Sequence, residues 1–131
     1  MIDLNKLIGI PFKLNHKDFK FCDCRGIVYL YYKYVKNKEL PFTDGKNIIF
    51  RNQKKDKNRM ASVLNTFADI VDINDIDEGD IVVIDNHKQV GSLGVCINNK
   101  QILHMDGVVG SCLTRLRYLK EFISLIYRPN D

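Results

Sequence analysis

Between Ile27 and Val35 the apolar side chains fall at positions 27, 28, 31, 34 and 35. That spacing lines one face of an α-helix, although the run of tyrosines would also suit a strand. Asp23 stands where an N-cap carboxylate belongs, which places Cys24 in the first helical turn, and Asn37-Lys38 with Leu40-Pro41 ends the segment. Upstream, Leu4 to Ile10 predicts a short helix stopped by Gly9 and Pro11. Downstream, residues 42–59 are polar and predict a long loop. Residues 60–70 predict a second helix turning Val63, Leu64, Phe67 and Ile70 inward. From residue 80 onward the period shortens to that of strands, over 80–85, 93–98, 101–105, 108–113 and 122–127, with tight turns at Asn98-Asn99-Lys100 and Asp106-Gly107. Helices followed by an antiparallel meander predict an α+β architecture. N-terminal helices pack on a sheet of about five strands, in one domain spanning residues 1–131.

Composition removes several classes of function. Hydrophobic residues at 45% and charged residues at 27% exclude wholesale disorder and a fibrous rod. No apolar run reaches the ~18 residues of a membrane span. Met1-Ile2-Asp3-Leu4-Asn5-Lys6 lacks the apolar stretch and cleavage site of a signal peptide, so a chain that acts outside the cytosol is expected to be carried there by another agent. Charge is uneven. Residues 1–60 hold 14 Lys and Arg against 6 Asp and Glu, whereas residues 61–131 hold 6 against 10. A dipolar surface of this kind suits packing against a partner or an anionic polymer. The densest basic stretch, Lys54 to Arg59, has no interleaved aromatics, so no nucleic-acid partner is expected.

Four cysteines without a secretory signal do not predict a disulfide framework, and the absence of a C-x-x-C pair argues against structural zinc. Neither a metal nor a cofactor is expected. Cys96 alternates within Leu93-Gly94-Val95-Cys96-Ile97 and reads as a small buried hydrophobe, as does Cys112. Cys24 differs. At a helix N-terminus, free backbone N–H groups and the helix dipole favour a thiolate and lower its pKa, and Arg25 adds to this. A buried structural cysteine is the competing reading of that position.

The ordered motifs extend beyond this one residue. Ile8-Gly9-Ile10-Pro11-Phe12, then Cys22-Asp23-Cys24-Arg25-Gly26-Ile27-Val28, then Leu40-Pro41 resemble the NlpC/P60 cysteine peptidases, above all a short branch associated with phage tails. Glu78-Gly79-Asp80-Ile81-Val82 resembles the family's entry to the sheet. Ser92-Leu93-Gly94-Val95-Cys96-Ile97 and Ile102-Leu103-His104 resemble its later strands. The resemblance implies a papain-like fold in which Cys24 is the nucleophile and His104 the third polar residue orienting a general base. It implies acyl transfer by a thiolate, classically on D-Glu–diamino-acid bonds of peptidoglycan stem peptides. The base position holds Ser92, whose hydroxyl cannot accept a proton near neutral pH as an imidazole does. Phe12 stands where many relatives carry a tyrosine. His104 alone, His87 in a nearby turn, or His16 before the nucleophile are the imidazoles that would restore a base.

Three functions remain open on the sequence, and whether the chain is an enzyme stays open with them. The first is a phage tail-tip component, a virion protein that keeps the fold chiefly for assembly, with weak or no hydrolysis. Its expected partners are other tail-tip proteins and peptidoglycan, with oligomeric state imposed by assembly. The second is an active peptidoglycan endopeptidase that opens the host wall during DNA injection, using Cys24 and His104. The third is a host cytosolic papain-like amidase.

Overall fold

The structure is a computed structural model and describes residues 3–42, 53–85, 91–98 and 100–130. A 3-10 turn, Leu4–Leu7, precedes helix α1, Cys24–Tyr34, and helix α2, Gln53–Asn65. Six strands follow: β1 Ala68–Ile70, β2 Ile81–Ile84, β3 Ser92–Asn98, β4 Gln101–Asp106, β5 Gly110–Arg115 and β6 Ile123–Pro129. A short helix α3, Leu116–Leu119, lies between β5 and β6. The strands form one antiparallel sheet in the order β1-β6-β2-β3-β4-β5. The α+β class and the helix-on-sheet arrangement therefore agree with the sequence reading. No helix among the described residues is long and apolar enough to cross a membrane.

Four expectations need correction. The second helix ends at Asn65, and residues 68–70, expected as its last turn, form an edge strand held by Tyr127, Arg128 and Pro129 of β6. Phe67 accepts from the Asn130 N–H, which completes that pairing. The polar stretch expected as a loop is helical from Gln53, while positions 43–52 lie outside the described residues. The last strands are not a simple meander, because β6 returns between β1 and β2. The N-terminal helix is a single 3-10 turn rather than a helix to Ile10.

Helix α1 is the centre of the fold. Every residue from Gly26 to Tyr32 is buried, as befits a helix surrounded on all sides rather than laid on a surface. Its tyrosines end in polar partners. Tyr29 donates to Glu39 at 2.7 Å, Tyr31 to Glu78 at 3.2 Å, and Tyr32 to the Gly79 carbonyl. Leu93, Val95, Leu103 and Met105 face α1 in the main core, whereas Val82, Ile84, Cys96, Ile102 and Ile126 form a second cluster on the reverse face of the sheet. The Glu78-Gly79-Asp80 motif serves the junction between them. Asp80, 1% exposed, receives Arg128 of β6 through two hydrogen bonds of 2.9 Å, and its carbonyl accepts the Cys96 N–H.

The loop before α1 folds back on the helix start. Asp23 accepts from Gly26 N–H at 2.8 Å as N-cap and from Asn15 N–H at 2.8 Å with its second oxygen. Gly26 is required by this approach: a Cβ there would collide with the His16 carbonyl oxygen and stand 3.0 Å from Lys17 Cα. The glycine two residues after Cys24 thus lets the loop cover the helix.

Candidate functional site

Cys24 occupies the first residue of α1, capped by Asp23 as the sequence predicts. The groups facing its sulfur are the Leu93 backbone N–H and the Ser92 hydroxyl, both at the start of β3. Cys24 and Ser92 are therefore brought together by the packing of α1 on β3.

The thiol's acidity departs from expectation. Burial, followed by the adjacent Asp23 carboxylate, raises its pKa to about 11, and the Leu93 N–H, Arg25 and Ser92 only partly offset this. The correction has a plain cause. A helix N-terminus favours a thiolate by a charge–dipole interaction, but removing the thiolate from water disfavours it more. Near neutral pH the resting group is a thiol. Its neighbour Cys22 is fully buried, pushed up to about 12, and sits 3.5 Å from Met105 Sδ.

His104 finds its partners on the neighbouring strand β5. Its neighbours Leu103 and Met105 point into the core beneath α1, so strand alternation turns His104 to the reverse face. There Nε2 lies 2.7 Å from Thr114 Oγ1 and 3.7 Å from Cys112 Sγ, across the β4–β5 pairing. Ser92 and His104 share a face, yet the residue opposite His104 is Gly94, two positions beyond Ser92. A Cβ on Gly94 would stand 3.2 Å from His104 Cβ and 2.8 Å from Ile102 Cγ2, so a side chain would crowd this position. Burial lowers the His104 pKa below the ordinary 6.5, which keeps the imidazole neutral.

The other candidates separate in the same way. His16 lies 3.9 Å from Asp18 and, with Lys17, Arg25, Tyr29 and Glu39, lines a hollow of about 530 Å³ beside the start of α1. Phe12 is 37% exposed. Cys96 is buried as expected, with its thiol against the Asn98 carbonyl. Cys112, expected to be buried, is half-buried against His104. His87 lies outside the described residues. Among the described residues no group of three or more His, Cys, Asp or Glu is placed to hold a metal ion. Thr114 carried no signal in its own segment; only the β4–β5 register places it beside His104.

The sequence model of the NlpC/P60 family matches residues 9–125. The chain belongs to the NlpC/P60 family. The NlpC/p60 domain of the peptidoglycan hydrolase SagA superimposes on it with a TM-score of 0.65 at 13% identity, over 95% of this chain and 91% of that one. A protein similar to lipoprotein, of the NLP/P60 family, from Staphylococcus aureus subsp. aureus Mu50, gives a TM-score of 0.62 at 14% identity. That match spans 98% of this chain and 40% of the other. At such identities the likeness is one of fold. No curated protein matches the sequence.

Within this NlpC/P60 fold the described chemistry is incomplete. A nucleophilic sulfur and nearby N–H and O–H donors are present, which can polarise a carbonyl or steady a developing oxyanion. The hydroxyl facing the thiol is that of Ser92, and it cannot carry a proton away at neutral pH.

Proposed function

We propose that this chain is a phage tail-tip protein that uses the NlpC/P60 fold mainly for assembly, with hydrolysis of peptidoglycan weak or undetectable. The observation that carries the reading is the surroundings of Cys24, a protonated thiol facing Ser92 and Leu93 while the His104 ring is engaged by Thr114. Losing a positioned general base typically costs ~10²–10⁴ in rate. The tail assignment draws its support from the motif layout, which follows the short phage-tail branch, and from the split charge, which suits docking between basic and acidic neighbours. In this reading the partners are other tail-tip proteins and the peptidoglycan they meet. The chain is made in the host cytoplasm and carried in the virion.

The second reading, an active endopeptidase that opens the wall, is favoured by one feature. Cys24 keeps the helix N-terminus, and the Leu93 N–H and Ser92 hydroxyl converge on its sulfur. Release of muropeptides from purified sacculi distinguishes the two. Wild type and Cys24→Ala should both stay near background, and Ser92→His should gain Cys24-dependent release. Robust wild-type release abolished by Cys24→Ala would establish the second reading instead.

A further inference from the structure

Among the described residues, Cys112 makes a thiol–imidazole contact. The β4–β5 ladder sets His104 directly opposite Cys112 on the reverse face of the sheet, with Nε2 3.7 Å from Sγ. Both residues are half-buried, so the pair is reachable from solvent. Thr114 closes the arrangement, 2.7 Å from the same Nε2, and its hydroxyl also faces the Cys112 thiol. We propose that Cys112 and His104 form a second reactive site, in which the imidazole acts as base for a thiol that exchanges with small soluble disulfides.

The protonation states fit this role. Cys112 is raised by burial and by the Asp106 charge, so few molecules hold a free thiolate at neutral pH, and reaction depends on a base. His104 is neutral there, and a backbone contact at Met105 favours a ring N–H. With that proton on Nδ1, the Nε2 lone pair is available to the two donors beside it, the Thr114 hydroxyl and the Cys112 thiol. As the Cys112 sulfur attacks one sulfur of a disulfide RSSR, its proton passes to Nε2 and the Thr114 hydroxyl turns to the developing negative sulfur. The S–S bond of RSSR breaks, RS⁻ leaves with the electron pair, and the imidazolium returns the proton to it. The products are the mixed disulfide on Cys112 and RSH, with the small disulfide as the only oxidant.

This inference does not depend on the role of Cys24 or on peptidoglycan, and its test is read on Cys112 alone. Full-length protein carrying Cys24→Ala is incubated with glutathione disulfide, and the modified residue is located by peptide mass mapping. The mixed disulfide should form first at Cys112. Its rate should rise as the imidazole loses its proton and then level off through neutral pH. In His104→Asn the rate near neutrality should fall by about 10-fold, less than a fully organised base contributes because Thr114 shares the lone pair, and should climb with hydroxide instead. The wild-type His104 profile serves as a readout even if that variant folds poorly. First modification at Cys22 or Cys96, no adduct at Cys112, or a Cys112 rate that climbs with hydroxide in the presence of His104 would overturn the proposal.

Discussion

Replacing Asp23 by asparagine separates the two roles this carboxylate combines. Asp23 is 3% exposed, with one oxygen capping α1 at Gly26 and the other holding the Asn15 N–H, each at 2.8 Å. Asparagine keeps the cap, since its carbonyl accepts from Gly26, but its amide then meets the Asn15 N–H donor to donor. One unsatisfied buried donor costs about 1–3 kcal/mol, so Asp23→Asn should lower stability by about 2 kcal/mol. The same change removes the negative charge beside Cys24. Asp23 is the second cause of the raised thiol pKa, after burial. The pKa should therefore fall from about 11 yet stay above the ordinary 9.0. Urea unfolding reads the first effect, and the pH dependence of iodoacetamide alkylation at Cys24, mapped by peptide mass, reads the second. An unchanged alkylation profile would mean that burial alone sets the thiol. A pKa below 9.0 would mean that the helix N-terminus outweighs burial, and the case for a resting thiol would fail.

Two further outcomes follow from charges inside the fold. Arg128→Met leaves Asp80 buried without its bidentate partner and should lower stability, less than a fully buried pair would because the Arg128 side chain is 46% exposed. Adding Asp80→Asn to it should recover part of that loss in urea unfolding, and a further loss would show that the pair is not the source. His104 has a folded pKa below 6.5, so under about pH 6.5 the unfolded chain binds a proton that the native protein refuses. Stability contributed by this site is complete above that pH and declines below it, down to the folded value. Urea midpoints at about pH 7.5 and 5.5 should converge in His104→Asn, and an undiminished decline would assign it to other groups.

The contrast between Cys24 and His104 shows where local pattern suffices and where it stops. Helix α1 was legible because its signals are local: an acidic N-cap and a helical apolar spacing. Helix α2 was legible only from Met60, since Gln53 to Arg59 contains no apolar residue for a periodicity to register. Strand β1 was missed because three residues are paired by the far end of the chain, and nothing near Ala68 encodes Pro129 as a partner. The same limit governs the site. The motif order singles out Cys24 and Ser92 as candidates, and packing of α1 on β3 brings them together. The motif places His104 third in the series, but alternation along Leu103-His104-Met105, with both apolar neighbours drawn under α1, turns its ring away from that core. The β4–β5 turn then decides its partners, because placing Gly110 rather than Val108 at the start of β5 sets Cys112 opposite His104. A register fixed by one turn thus brings the imidazole to a cysteine that no motif singles out. In this fold the neighbours of His104 on β5 follow from strand pairing.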